Sequence, residues 1–213
     1  MQAFKIDFLL RAQKPIAHNG GELYGNTALF RRIKIVTAGG EVVSLPVVSG
    51  NAVRGSMRDY CALKFLRALE KRSGEKAMLP KDAFHLLFSG GALKEASTAG
   101  DVDFARKLRE AIPVVSLFGG AYGNTIYPGK IKIGFLIPVV QEALHLIPPA
   151  VRPDDASIPS MHEIMSLDMY TRKDDANDES KRTFLNDNDA LFESNQMIYY
   201  SSSVAAGTSF YWQ

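Results

Sequence analysis

The most constraining feature of the sequence is one long amphipathic segment in its first half. Apolar residues recur there every four positions, which is the spacing of one helical face: Val53, Met57, Cys61, Phe65 and Leu69. Ser49 or Asn51 is a suitable N-cap for this helix, and Ser73-Gly74 is a suitable stop. We therefore predict a helix from about residue 50 to residue 73 with one buried face, against which other elements must pack.

Shorter segments on either side of this helix predict strands and further helices. Apolar residues alternate with other residues over 4–10, and this period of two is typical of a strand. Extended segments are also expected at 29–36, 41–48, 130–140, 197–200 and 208–212. Residues 82–111 predict two helical pieces split at 89–91, 112–123 predicts turns, and 158–165 predicts a short helix. The mixture predicts an α+β protein.

Size and composition narrow the class of protein. The chain has 213 residues, of which 46% are hydrophobic and 23% charged, as in ordinary globular domains. The single cysteine, Cys61, excludes an internal disulfide framework and fits a reducing compartment. No apolar run approaches the roughly 18 residues of a membrane-spanning helix, and the alternating N-terminus is not a signal peptide. We expect a soluble, cytoplasmic protein with no membrane partner.

Charge is distributed unevenly along the chain. Residues 1–80 carry 13 Lys and Arg against 6 Asp and Glu, whereas residues 81–213 carry 12 against 17. A basic half joined to an acidic half favours an anionic ligand on the basic side. It also permits head-to-tail association between copies of the chain.

The start of the long helix is the strongest local signal for such a ligand. Its first N–H groups have no intrahelical partner and carry the positive end of the helix dipole, which suits phosphate. Gly50 would allow close backbone approach. Arg54 and Arg58 are four residues apart and would share a face beside that end. The alternative is an ordinary capped helix with two solvated arginines.

Two glycine-containing loops are further candidates. The loop from His18 to Asn26 contains Tyr24, which could stack on a base, and is followed by the pair Arg31-Arg32, which could meet phosphates. The alternative there is a simple hairpin loop. The segment 117–124 lacks both the P-loop ending and the dinucleotide fingerprint, so a tight structural turn is the better interpretation by pattern alone.

Catalytic and metal-binding patterns are weak. The four histidines are scattered without metal-ligand spacing, and Cys61 lies on the apolar face of the helix. We therefore expect no metal and no cofactor.

Taken together, five segments resemble the RAMP superfamily, the RNA-binding subunits of CRISPR effector complexes. They occur in the family's order: the loop at 18–21, the glycine-helix segment 46–59, Leu117-Phe-Gly119 with a strand from Gly129, the thumb segment 170–175, and the late strand 205–210. The run 49–55, the pair Arg31-Arg32 and the run 116–120 are most similar to the type IV backbone subunit.

The resemblance implies a ferredoxin-like, RRM-like β-α-β-β-α-β core. It implies a single RAMP-like domain over 1–213, with a helical insertion at 75–125 and a thumb-like extension at 166–195. Because the chain ends within a predicted strand, we expect either that the natural chain continues past Gln213 or that another chain completes the sheet.

The resemblance also implies a function. The subunit would bind the CRISPR guide RNA, polymerise head to tail along it beside other effector subunits, and support pairing with a target strand of DNA or RNA. Its thumb would flip a nucleotide out of the paired stretch. The residues implied in RNA binding are His18, Asn19, Gly20, Gly21, Tyr24, Asn26, Arg31, Arg32, Ser49, Gly50, Asn51, Arg54, Arg58, Gly119, Gly120, Asn124, Arg172 and Lys173.

One departure from the family bears on catalysis. Type III relatives cut target RNA with an Asp in the loop before the second strand, and the nearest position here is Asn26, with Glu22 an approximate alternative. An amide cannot act as a general base as a carboxylate does, so we expect no nuclease activity. The alternatives are a type III-like subunit that cleaves target RNA, and an enzyme that binds a small phosphorylated substrate at 50–58.

Overall fold

The computed structural model describes residues 4–93, 102–153, 157–172 and 197–213, and it confirms the α+β class. The elements in chain order are β1 (Phe8–Arg11), β2 (Asn19–Tyr24), β3 (Thr27–Phe30), β4 (Arg32–Val36), β5 (Val42–Pro46), α1 (Gly50–Ser73), α2 (Lys81–Phe88), α3 (Val102–Ala111), α4 (Pro113–Phe118), β6 (Gly120–Tyr122), β7 (Thr125–Tyr127), β8 (Ile137–Pro138), β9 (Met165–Arg172), β10 (Met197–Val204) and β11 (Ser209–Trp212). Short 3-10 helices cover Gln141–Leu146 and Pro149–Val151.

The chain divides into two compact units. The terminal unit consists of Met1–Val48 and Phe135–Gln213, and the central unit of Ser49–Gly134. The predicted insertion at 75–125 falls within the central unit.

Three sheets form the described part of the terminal unit. One has the antiparallel order β1-β11-β8, the second has the order β2-β3-β10-β9, and the third pairs β4 with β5. In the second sheet β3 runs parallel to β10, while the other neighbours are antiparallel. The main core beneath these sheets is built from apolar side chains of distant segments, including Phe30, Leu45, Val47, Val140, Val204 and Phe210.

The segment 29–36, predicted as one strand, is two strands in different sheets. Between them the N–H of Arg31 donates to the carbonyl of His18 at 2.7 Å, and the carbonyl of Arg31 accepts from the N–H of Val47 at 3.0 Å. These bonds to other segments divide the run, so that β3 pairs with β10 and β4 pairs with β5.

Three other predictions of local structure were wrong in part or in full. Residues 113–118, expected as turns, form α4, which has Pro113 at its start. Within the expected strand 130–140 only Ile137–Pro138 is a strand, and 158–165 contains a turn and the start of β9 instead of a helix. The expected thumb begins in the β9–β10 ladder, which pairs eight residues of each strand, while 173–195 lies outside the described residues.

A hydrogen bond ties the N-terminal segment to β11. The hydroxyl of Tyr211 donates to a carboxylate oxygen of Asp7 at 2.6 Å, and Lys5 lies 3.6 Å from the same carboxylate. Burial and then this carboxylate raise the pKa of Tyr211 to about 12. The proton is therefore held more tightly in the folded protein than in the unfolded chain.

This tyrosine predicts a loss of stability in alkali. The unfolded chain loses the phenolic proton near pH 10 and the folded protein only near pH 12. The contribution is therefore fully present below pH 10 and is lost as the pH rises to 12. Urea unfolding measured at intervals from pH 9 to 12 should show a steeper decline for the wild type than for Tyr211→Phe. Parallel declines would contradict this assignment.

The central unit is mainly helical. The buried face of α1 packs against α2 and α4 around Ala62, Leu87, Val114 and Phe118. Met57, Cys61 and Phe65 of the predicted apolar stripe contact this cluster, whereas Leu69 is exposed. The β6–β7 hairpin follows α4 directly. No helix among the described residues has the length and apolar character needed to cross a bilayer.

Candidate nucleic-acid interface

The start of α1 is capped as the sequence predicts. Ser49 is the N-cap, and its hydroxyl accepts a hydrogen bond from the N–H of Ala52 at 3.2 Å. Gly50 is buried, and a side chain there would approach the carbonyl oxygens of Ile133 and Gly134. The glycine therefore serves close packing within the central unit rather than close approach to a ligand, and Ser49 and Gly50 are inaccessible parts of this helix start.

Arg58, which was expected to contact phosphate, is buried and bonded within the fold. Its side chain is buried, with 7% of its surface exposed. The guanidinium donates to the carbonyl of Leu86 at 3.3 Å, to that of Phe118 at 3.0 Å and to that of Gly119 at 2.9 Å. These carbonyls lie at the C-terminal ends of α2 and α4, where helix geometry leaves acceptors unsatisfied and favours a cation. Arg58 is a structural cap for two helices.

Burial also affects the charge of Arg58. Desolvation, followed by repulsion from Arg54, lowers the pKa of its guanidinium, while Asp59 opposes the shift. The three carbonyl acceptors offset the cost of placing this cation in the interior. These bonds use three of the five N–H donors of the guanidinium.

Two polar residues at the helix start remain accessible. Asn51 is exposed, and Arg54 is half-buried. The Nε of Arg54 is buried and has no hydrogen-bond partner in the part of the chain that the structure describes. Asn51 and Arg54 can therefore bind an anion beside the positive end of α1, without a contribution from Arg58.

The glycines of the 117–124 segment are structural. A side chain on Gly119, whose φ is +75°, would collide with the carbonyl of Tyr127 and the N–H of Gly129. A side chain on Gly120 would contact Leu86. Gly119 and Gly120, which the resemblance implies in RNA binding, therefore let α4 and the following hairpin pack closely. Asn124 is exposed at the hairpin turn, where its amide oxygen accepts from the hydroxyl of Thr125.

The predicted loop 18–26 is mostly strand. Asn19, Gly20 and Gly21 form the start of β2, and Gly20 lies against the backbone of Arg31. The ring of His18 meets the edge of Phe30 at a centroid distance of 6.0 Å. Burial and then the charge of Arg31 lower the pKa of His18. The lowered pKa favours the neutral form of the imidazole at pH 7.

Hydrogen bonds join the β2–β3 turn to β10. The side-chain amide of Asn26 donates to the carbonyl of Ile198 at 2.7 Å, and the backbone carbonyl of Asn26 accepts from the N–H of Tyr200 at 3.1 Å. Tyr24 precedes this turn and is 80% exposed. The turn therefore presents an accessible ring from a fixed position on the sheet.

Arg31 and Arg32 differ in the contacts that their side chains make within the protein. Arg32 is exposed, and its guanidinium donates to the carbonyl of Ser44 at 3.1 Å. Arg31 is exposed, and no ion pair involves it among the described residues. Arg31 is the more available of the two for an anion.

Sequence reasoning missed a pair of stacked tyrosines. Tyr170 and Tyr199 are opposite each other in the β9–β10 register, and their rings stack at 5.3 Å with an angle of 15° between planes. Both are partly exposed. Only the pairing of strands distant in sequence brings them together. The backbone of Arg172 pairs with Met197 two positions further on, and Lys173 lies outside the described residues.

The chain is similar in structure to known proteins, although not in sequence pattern. No family model matches the sequence, and no curated protein matches it. Among solved structures, a chain of the structure named "Type IV-B CRISPR Complex" superposes with a TM-score of 0.54 and 21% identity, over 97% of this chain and 70% of that chain. The likeness shows a shared fold, and the α+β arrangement is consistent with the ferredoxin-like fold expected from the resemblance.

Proposed function

We propose that this chain is a guide-RNA-binding scaffold subunit of a type IV CRISPR effector complex. The observation that carries this proposal is the likeness of nearly the whole chain, 97% of it, to a chain of a type IV-B CRISPR complex. The resemblance of the sequence motifs to the RAMP superfamily supports it independently of that superposition.

A scaffold of this kind must hold RNA of any sequence, so its contacts go to sugar and phosphate rather than to base edges. In the terminal unit, Arg31 supplies an accessible guanidinium and Tyr24 an accessible ring for stacking. In the central unit, Asn51 and Arg54 extend the positive end of α1. Sequence recognition would then be left to base pairing between guide and target.

Because many copies would bind one RNA, weak contacts from each copy would be sufficient to hold the assembly on it. The edge strand β1 supports contact between copies, because Phe8, Leu9 and Leu10 are partly exposed on it. Mass photometry of the protein with a long guide RNA should show a ladder of species separated by one protomer. The ladder should collapse after ribonuclease treatment, and a single protomer per RNA would contradict polymerisation.

The subunit itself is proposed to be non-catalytic. The side-chain amide of Asn26 donates to the carbonyl of Ile198, and an amide cannot take a proton as a carboxylate does. Incubation of the guide-loaded complex with matching target RNA and Mg²⁺ should leave the target intact. Robust cleavage that disappears in Glu22→Gln would instead favour the type III-like alternative.

RNA retention should depend on the accessible arginines. The double variants Tyr24→Ala/Arg31→Gln and Asn51→Ala/Arg54→Gln should each reduce the RNA that co-purifies with the protein at least about tenfold at moderate salt. Each pair removes one phosphate contact and one stacking or polar contact, and such contacts are worth about 1–3 kcal/mol. The measurement is the 260/280 nm absorbance ratio, followed by a denaturing gel of the extracted nucleic acid.

Lys14→Gln and Lys107→Gln are the matched controls, because both remove an exposed charge away from the proposed contacts. Their RNA yield should equal that of the wild type. A wild-type protein that purifies free of nucleic acid and fails to bind added RNA would contradict the proposed function and favour the small phosphorylated substrate.

A further inference from the structure

The exposed face of α1 carries an ordered cationic stripe that the function proposed above does not use. It consists of Tyr60, Lys64, Arg67 and Lys71. At about 100° per residue these four lie within an arc of about 60° on the helix surface. Over the 11 residues from first to last the stripe runs about 17 Å along the axis.

The packing of the helix holds this stripe toward solvent. The buried side of α1 is centred near Ala62, about 170° around the helix from the stripe, and packs into the core of the central unit. All four stripe residues are exposed, Tyr60 to 63%. The orientation of the stripe is therefore set by the core and not by the stripe's own interactions.

The charges on the stripe are not neutralised within the described part of the chain. Neither Lys64, Arg67 nor Lys71 forms an ion pair there. The two acidic residues of the helix, Asp59 and Glu70, lie about 80–100° away on its flank. Glu70 is further engaged, since its carboxylate accepts from the N–H of Ala77 at 3.0 Å.

This arrangement does not benefit the isolated helix. Lys64 and Arg67 are three residues apart, and Arg67 and Lys71 four, so like charges are neighbours, which costs helix stability. An anionic partner that spans the stripe would remove this repulsion. A partner with regularly repeated negative charges fits the regular spacing.

The aromatic residue of the stripe narrows the chemical class of the partner. The ammonium of Lys64 lies over the ring of Tyr60 at 5.5 Å from its centroid, and Leu63 beside it is 46% exposed. Proteins that bind single-stranded nucleic acids combine cations, which contact the phosphates, with an aromatic ring on which a base stacks. The length of the stripe corresponds to about five nucleotides at 3.4 Å each.

We propose that the exposed face of α1, through Tyr60, Lys64, Arg67 and Lys71, binds the sugar–phosphate backbone of a single-stranded nucleic acid. This surface uses none of the residues assigned to guide RNA above. It therefore provides a second strand contact, and its existence does not depend on the first.

The test is the salt dependence of binding to labelled (dT)15 and (rU)15, measured by fluorescence anisotropy on the full chain. The triple variant Lys64→Gln/Arg67→Gln/Lys71→Gln should reduce the slope of log K against log salt by about 2, because each lost phosphate contact contributes about 0.7. Tyr60→Ala should weaken binding about tenfold, and Tyr60→Phe should restore most of it. Comparison of the two oligonucleotides shows whether the surface prefers DNA or RNA.

The control triple Lys14→Gln/Lys81→Gln/Lys107→Gln removes the same charge from exposed positions elsewhere, and its slope should remain that of the wild type. An equal reduction of the slope in both triple variants would mean that binding depends only on net charge, and would overturn the proposal. An unchanged slope in the stripe triple, or binding of poly-glutamate that depends on the stripe as strongly as oligonucleotide binding does, would also overturn it. If the stripe is wrong but the guide site is right, Tyr24→Ala/Arg31→Gln and Asn51→Ala/Arg54→Gln will weaken binding and the stripe triple will not.

Discussion

Replacement of Arg58 by methionine is expected to lower the free energy of unfolding by about 3–5 kcal/mol. The substitution keeps a long side chain but leaves the carbonyls of Leu86, Phe118 and Gly119 without their donor. An unsatisfied buried polar group costs about 1–3 kcal/mol, and bonds to a charged donor are at the upper end. Urea unfolding followed by far-UV circular dichroism measures the loss.

Two variants make this prediction specific. Arg67→Met removes an exposed charge from the same helix and should change stability by no more than about 0.5 kcal/mol. Arg58→Lys keeps the charge but not the planar fork, so it should recover only part of the stability. An Arg58→Met protein as stable as the wild type would show that these carbonyls find other donors, and would restore Arg58 as a candidate for phosphate.

The second large effect concerns two glycines of α1 with opposite expected outcomes. A Cβ built on Gly50 would lie 2.3 Å from the carbonyl oxygen of Ile133 and 2.8 Å from that of Gly134. Gly50→Ala therefore forces the backbone of 133–134 away and should destabilise the protein by about 1–3 kcal/mol. Thermal unfolding should show this as a drop in Tm of several degrees, at about 2–4 °C per kcal/mol.

Gly55 lies five residues further along the same helix and is the matched control. A Cβ there meets no atom within 4 Å, so Gly55→Ala should stabilise the protein by about 0.5–1 kcal/mol through helix propensity. Equal signs for the two substitutions would contradict the close approach of α1 to residues 133–134.

The two predictions have a functional consequence. If Arg58 and Gly50 hold the start of α1 in place, their loss should reduce RNA binding only as far as it unfolds the central unit. Variants at Asn51 and Arg54 should reduce RNA binding in a folded protein. Parallel measurement of stability and RNA retention separates these two groups of residues.

Features that depend on neighbours in sequence were predicted well. The N-cap at Ser49, one of two candidates in the sequence, depends on contacts within a few residues. So do the end of α1 at Gly74 and the apolar stripe through Met57, Cys61 and Phe65. The same holds for the division of 82–111 into two helical pieces. Helical hydrogen bonds span four residues, so the information that specifies them is local.

Features that depend on distant partners were predicted poorly. The run 29–36 looks like one strand, but its halves pair with β10 and with β5 in separate sheets. From the sequence, Asn26 is expected to bind RNA and stands in place of a catalytic carboxylate, whereas in the structure its side chain bonds to Ile198, 172 residues away. The stacked pair Tyr170 and Tyr199 likewise depends on strand register.

The two arginines at the start of α1 show the division most clearly. Their spacing correctly places Arg54 and Arg58 on one side of a capped helix, because that depends only on helical geometry. Whether each guanidinium meets solvent or protein depends on where α2 and α4 end, and those ends lie 28 to 61 residues further along the chain. The sequence therefore determines the helix and its cationic residues. Only tertiary packing decides which guanidinium bonds within the protein and which remains accessible to a ligand.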